Sequence, residues 1–161
     1  MKALFLAGGM GTRLKPLTDD LPKPMVPIMN KPLLLRTMEN LKECGINEIV
    51  ISTGYKSEYI NEYFGNGSKF GLKIEYIFED APLGTGGAIK MAEHLLNETF
   101  LVLNADILCN INFLELIKLH KSKSAVATIA VTQVVNPSIY GVIEYDKDNY
   151  ALSFTEKPKA N

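Results

Sequence analysis

The chain has 161 residues, 47% hydrophobic and 22% charged, and its 17 basic and 18 acidic side chains leave a net charge of −1. That length suits one domain with enough chain to bury a core, and the near-neutral balance excludes the basic excess of a nucleic-acid or membrane surface. No stretch approaches the ~18 apolar residues of a membrane span, and the apolar part of "MKALFLAGG" is shorter than the ~7–15 residues of a signal core. The expectation is therefore a cytoplasmic protein, with Cys44 and Cys109 as reduced thiols lacking ligand spacing.

In chain order, "KALFLA" (2–7) is an apolar run closed by glycines and predicts a buried strand. Pro32 opens "PLLLRTMENLKECG", where Leu34, Met38 and Leu41 recur at helical spacing and Gly45 supplies the stop. "NEIVISTGY" (47–55) is rich in β-branched residues and predicts a second strand, and "KSEYINEYFG" a short helix capped at Ser57 and stopped at Gly65. "LKIEYIF" (72–78) alternates as a strand does, and "GGAIKMAEHLL" (86–96) sets Ala88, Met91, Ala92 and Leu95 on one helical face. "FLVLNAD" (100–106) predicts a fourth strand, and Asn112 with Glu115 forms a capping-box-like start to "NFLELIKLH". Then "SAVATIAVTQ" (124–133), "YGVIEYD" (140–146) and "YALSFTEKP" (150–158) predict three strands without intervening helices. The fold class is α/β: three α/β/α layers around a mainly parallel sheet covered on both faces, with antiparallel strands near the C-terminus.

Ligands of such sheets sit beyond the carboxyl ends of the strands, and three segments share that address. Gly8, Gly9 and Gly11 permit positive φ and close approach of backbone N–H groups to an anion, and Arg13 adds a fork of donors suited to phosphate. The loop is neither a dinucleotide fingerprint nor a Walker loop, because Leu14 stands where the third glycine belongs and no Gly-Lys-Ser/Thr occurs. A plain glycine-rich turn with a surface arginine is the competing reading. Pro22 and Pro24 fix φ on both sides of Lys23 and stiffen the backbone that carries its ammonium. A proline-rich ligand for a binding module would need exposure, whereas these prolines run into the apolar "MVPI". Asp106, ending Asn104-Ala105-Asp106, is either a turn residue or a carboxylate for Mg²⁺. Gly84-Thr85-Gly86-Gly87 either admits a nucleoside or only begins a helix, and Glu79 is either a base-reading carboxylate or a solvated strand end. His94 and His120 have no partners at metal spacing and read as surface residues.

With those residues assembled, the chain resembles the sugar-1-phosphate nucleotidyltransferases, or nucleotide-sugar pyrophosphorylases. The resemblance rests on "GGMGTRLKPLTDDLPKPMVPI" (8–28), "PLGTGGAI" (82–89), "LNADI" (103–107), "YGVIEYD" (140–146) and "FTEKP" (154–158), in order over essentially the whole chain. It implies a Rossmann-like fold and the reaction NTP + sugar 1-phosphate → NDP-sugar + pyrophosphate, with Mg²⁺ as cofactor, small-molecule substrates and neither nucleic acid nor membrane as a partner. Carried over by position, the resemblance has the backbone of Leu6, Gly8, Gly9, Gly11 and Thr12 cradle the nucleotide. Arg13 then grips the departing pyrophosphate, Lys23 neutralises the reacting phosphates, and Asp106 binds the metal. Gly84 and Thr85 line the nucleoside pocket, with Glu79 where a base-reading side chain is expected. Asn104, Gly141, Glu156 and Lys157, with Lys23, fall where the family holds the sugar and its phosphate. Residues 1–110 thus form a nucleotide-binding part and 111–161 an incomplete sugar-binding part of one domain.

A carboxylate at Glu79 suits guanine N1–H and the 2-amino group and repels the carbonyl edges of uracil or thymine. "EDAPLGTGGAI" (79–89) also looks like the guanylyltransferases for mannose or heptose 1-phosphate, so GTP and mannose 1-phosphate are the expected substrates. A thymidylyl- or uridylyltransferase acting on glucose 1-phosphate and a non-catalytic nucleotide sensor are the alternatives. Beyond Glu156-Lys157-Pro158 the family pattern continues into an Asn-containing strand and a second metal-binding aspartate, and this sequence has neither. The expectation is weak activity at best, one protein ligand for the metal, and self-association through uncovered strand edges.

Overall fold

The computed structural model describes residues 1–158 apart from Met10, Thr12, Arg13 and Pro82, and it falls into two compact units, Met1–Phe113 and Leu114–Asn161. The first unit begins with β1 (Lys2–Ala7), whose apolar run is buried almost throughout. A 3₁₀ turn at Lys23–Met25 follows, then a small antiparallel pair, β2 (Pro27–Ile28) and β3 (Lys31–Pro32). Met29 and Asn30 both take positive φ between them, which a two-residue hairpin loop demands. Helix α1 (Leu33–Glu43) buries Leu34, Met38 and Leu41, the stripe its spacing predicts. It ends in a Schellman motif: Gly45 has φ +79°, Gly45 N–H donates to Lys42 O and Ile46 N–H to Leu41 O, both at 2.9 Å.

β4 (Glu48–Thr53) is buried from Ile49 to its end. α2 (Ser57–Phe64) stops at Gly65 as expected, but Ser57 is its first helical residue rather than its cap. Lys56 holds the capping position in a left-handed conformation and gives no side-chain cap. β5 (Lys73–Phe78) is followed by α3 (Gly84–Met91), which starts two residues ahead of the predicted helix and gives way to a 3₁₀ turn at Glu93–Leu95. β6 (Leu101–Asn104) completes the unit's strands.

These four longer strands form one parallel sheet in the order β5-β4-β1-β6. Because successive side chains on a strand point to opposite faces, the unbroken burial of Ala3–Phe5 and Ile49–Thr53 requires cover on both faces. On one face Leu4, Val50, Ile77 and Ala92 pack together, backed by Leu6, Ile89, Leu95 and Leu96. Leu4, Val50 and Ile77, essentially out of water, each contribute about 1.5–3 kcal/mol before entropy is charged. The chain runs outward from β1 to β4 and β5, then returns to the other side of β1 for β6. The order therefore reverses between β1 and β6, which opens a crevice at their carboxyl ends.

The second unit carries most of α4 (Phe113–Lys123) and an antiparallel hairpin, β7 (Gly141–Tyr145) with β8 (Ala151–Glu156), forming its own two-stranded sheet. The Asp146 carboxylate accepts from the amides of Asp148 and Tyr150 and shapes the hairpin turn, where Asn149 takes φ +65°. The strand predicted at 124–133 does not form. β-Branched composition alone makes no strand without a neighbouring edge to pair with, and among the described residues of this unit β7 and β8 pair only with each other. Val126, Ile129 and Val131 stand exposed as a result. Among the described residues no helix is long and apolar enough to cross a membrane.

Candidate active site

A cleft of about 350 Å³ occupies the crevice at the carboxyl ends of β1 and β6. Leu6, Gly8 and Gly9 form one wall, Lys23 and Pro24 a second, Asn104 and Asp106 a third, and Glu79, Gly84, Thr85 and Ala88 the remainder. Nine of the residues singled out from the sequence thus meet on one surface: Leu6, Gly8, Gly9, Lys23, Glu79, Gly84, Thr85, Asn104 and Asp106. Thr12 and Arg13 lie outside the described residues.

Lys23 owes its position to its neighbours. Pro22 and Pro24 are buried, and Met25 N–H donates to Pro22 O at 2.8 Å while Val26 N–H donates to Lys23 O at 3.1 Å. The backbone is anchored on both sides, and the half-buried side chain reaches the cleft. There its Nζ donates to Asp106 Oδ2 at 2.8 Å, joining residues 83 apart in sequence. The Asp106 side chain stays 40% exposed at the mouth of the cleft. Among the described residues, no group of three His, Cys, Asp or Glu side chains gathers to enclose a metal ion. A single exposed carboxylate fits the other mode of magnesium binding, in which substrate phosphates and water supply the remaining oxygens.

Gly11 lies behind this wall rather than in it. Its φ is +63°, and a Cβ there would stand 3.1 Å from Lys23 Cβ and 3.3 Å from Thr18 Cγ2. The buried Thr18 hydroxyl donates to Gly11 O at 3.0 Å. The glycine is needed twice, for its dihedral and for this close packing, and it locks the glycine loop to the turn that carries Lys23. The Lys56 ammonium donates to Asp19 O and ties the intervening loop to the start of α2.

Glu79 follows β5 and turns its carboxylate toward Gly8, where a Cβ would stand 3.2 Å from Oε1. Oε1 accepts from Ser52 Oγ at 2.6 Å and Oε2 from the Leu83 amide at 3.2 Å. Glu79 is therefore not a freely solvated strand end. Sequence reasoning missed Ser52 and Thr18, and read Ala88 only as part of a helical face. Ser52 carried a signal: a serine inside the apolar run "EIVIST" becomes a buried hydroxyl that must find a partner.

Gly141, Glu156 and Lys157 belong to the second unit and come together at one end of its hairpin. Gly141 pairs with Glu156 across the ladder, and Lys157 N–H donates to Tyr140 O at 2.9 Å. The Lys157 ammonium lies 3.5 Å from Glu156 Oε1. A Cβ on Gly141 would stand 2.6 Å from two carbons of the Phe154 ring, so the ring occupies the space that a side chain there would need.

A family model described as nucleotidyl transferase matches residues 2–161. The catalytic subunit beta of mannose-1-phosphate guanylyltransferase from Dictyostelium discoideum is 45% identical over 163 aligned positions, covering 99% of this chain and 45% of that protein. The chain spans about half the length of the curated relatives it matches. Among solved structures, HddC from Yersinia pseudotuberculosis complexed with GMP-PN is 36% identical with a TM-score of 0.79, covering 98% of this chain and 70% of that one. A UDP-glucose pyrophosphorylase complexed with UDP-glucose is 27% identical with a TM-score of 0.81, covering 98% and 69%. The fold of these neighbours is the Rossmann-like arrangement described above.

Proposed function

The chain belongs to the nucleotidyl transferase family, and from that premise we propose that it takes part in moving GMP from GTP to mannose 1-phosphate, with release of pyrophosphate. The observation that carries this reading is the meeting of Lys23 and Asp106 at the mouth of a glycine-walled cleft. The Dictyostelium relative named for this reaction aligns with the whole chain.

Gly8 and Gly9 bring backbone close to a triphosphate, and the first turn of α3 at Gly84 and Thr85 presents N–H groups to the same space. The attacking group is a phosphate oxygen of the sugar phosphate, ionised near neutral pH because its second pKa is about 6. No general base is required. The barrier lies in bringing two polyanions together, so the work falls to positioned cations. Lys23 is held by its prolines where it meets the reacting phosphates, and Arg13 and Lys157 are assigned to the departing pyrophosphate and the sugar phosphate. Gly141 and Glu156 are assigned to the sugar hydroxyls. Asp106 would hold Mg²⁺, which when bound supplies further charge neutralisation on the phosphates. Binding of phosphates then draws the Lys23 ammonium from Asp106 toward the substrate.

Glu79 is assigned to the base. Its ordered carboxylate offers two acceptors to the paired N–H donors of guanine, whereas uracil and thymine offer one N–H between two repelling carbonyls. Self-association belongs to the same reading and is supported by the fully exposed Val126 and Val135 and by Leu152 and Phe154, 68% and 64% exposed on β8.

The test is pyrophosphate release with Mg²⁺, mannose 1-phosphate and each of GTP, UTP and dTTP. GTP is expected to be fastest. Faster release from UTP or dTTP overturns the guanine assignment, and GTP binding without any turnover replaces the enzyme reading by a nucleotide-sensing one.

A further inference from the structure

We infer that Ser52 is a positioning residue for nucleotide selectivity, holding the Glu79 carboxylate in the orientation that accepts both donors of a guanine edge. The inference rests on the guanine reading given above and assigns it a second residue.

Ser52 lies near the end of β4, in register with Leu6 of β1 and Ile77 of β5, and is wholly buried. A hydroxyl in that setting must donate to a partner within the protein. Its partner is Glu79 Oε1, at 2.6 Å. The other oxygen, Oε2, accepts from the Leu83 amide at 3.2 Å. Two donors from different segments therefore hold the two oxygens of one carboxylate, which fixes both its position and the plane of the group. Each carboxylate oxygen accepts more than one hydrogen bond, so a lone-pair position on each remains for substrate. Gly8 completes the arrangement, since a Cβ there would crowd Oε1 at 3.2 Å.

Guanine presents N1–H and a 2-amino N–H side by side, and a flat carboxylate meets both at once, as it meets the fork of an arginine. Hypoxanthine keeps N1–H and lacks the amino group. The 2-amino group adds affinity only when both carboxylate oxygens are aligned at the moment of binding. A glutamate released from Ser52 regains side-chain freedom and satisfies N1–H alone in most of its orientations. Ser52 thus bears on the difference between GTP and ITP rather than on nucleotide affinity in general.

The experiment measures dissociation constants for GTP, ITP and UTP with Mg²⁺ by titration calorimetry on the full chain and three variants, Ser52→Ala, Glu79→Gln and the double variant. The expected result is a wild-type preference for GTP over ITP that falls about tenfold in Ser52→Ala, the loss of roughly one hydrogen bond to a charged group, with UTP affinity unchanged. Glu79→Gln is expected to lower the preference at least as far, and the double variant no further than Glu79→Gln, because the serine acts only through the glutamate. Thermal melting confirms that Ser52→Ala is folded, and Ser52→Thr, which keeps a hydroxyl, is expected to restore part of the ratio. An unchanged GTP/ITP ratio in Ser52→Ala, beside a collapsed one in Glu79→Gln, overturns the role of Ser52 and leaves the guanine reading standing. A wild-type chain with no preference for GTP over UTP overturns both.

Discussion

Replacing Lys23 by Met removes one ammonium and keeps most of the apolar stem. In the resting structure that ammonium lies 2.8 Å from Asp106 Oδ2, a distance at which two unit charges attract by about 6 kcal/mol at an effective dielectric constant near 20. Little of this reaches folding stability. The two side chains are 26% and 40% exposed, so water solvates the freed carboxylate, and pairs of this kind contribute about 0–1 kcal/mol net. During transfer the balance differs, because charge builds on phosphate oxygens inside the cleft. Loss of one preorganised electrostatic contact of that type costs about 3–4 kcal/mol, or 10²–10³ in rate. Lys23→Met is therefore expected to melt within ~3 °C of wild type and bind GTP nearly as well, while single-turnover pyrophosphate release drops by ~10²–10³. Separate calorimetric and rapid-quench measurements on one preparation check this. Equal losses in affinity and rate would refute a transition-state role, and a fall in Tm with an unchanged rate would make the pair structural.

Gly11→Ala forces a Cβ into a left-handed backbone and against Lys23 and Thr18; a loss of about 1–3 kcal/mol should appear as a lower midpoint in urea, together with weaker GTP binding. Gly141→Ala drives a methyl into the Phe154 ring at 2.6 Å, so ring-proton shifts in NMR spectra should report loss of the β7–β8 hairpin while the first unit's signals stay in place. The Tyr76 phenol, whose hydroxyl donates to Gly65 O, is pushed by burial to about 12. The unfolded phenol ionises near pH 10, so its contribution to stability is fully present below pH 10 and is lost as pH rises to 12. Melting curves of Tyr76→Phe should fall less steeply than wild type across that window, and parallel slopes would remove Tyr76 from the alkaline transition. Light scattering should show a species larger than a monomer, shifted toward monomer by Val135→Lys.

Much of the first unit was legible because burial on both faces writes itself as unbroken apolar runs. "KALFLA" and "EIVIST", too short for a helix and followed by glycine, both form such strands. The glycine loop and Pro22-Lys23-Pro24 were legible for another reason: those residue types are costly unless a conformation requires them. What spacing does not carry is the partner. Lys23 and Asp106 were placed at one end of the sheet by topology, yet their ion pair across 83 residues appears only in three dimensions. The same holds for Ser52 and Glu79, where either residue alone fits an ordinary strand end. At 124–133 composition misled, since β-branched residues specify a surface that wants a neighbour and not the neighbour itself. The cap of α2 falls on Lys56, in a left-handed conformation, one residue before the serine expected to cap the helix.

Guanylyl transfer itself is read by product analysis after incubation of the chain with GTP, mannose 1-phosphate and Mg²⁺. GDP-mannose and pyrophosphate are expected in equal amounts, formed slowly by wild type and lost in Lys23→Met and in Asp106→Asn. No GDP-mannose above the level of those two variants, or a sugar nucleotide formed from UTP or dTTP in preference, would contradict it.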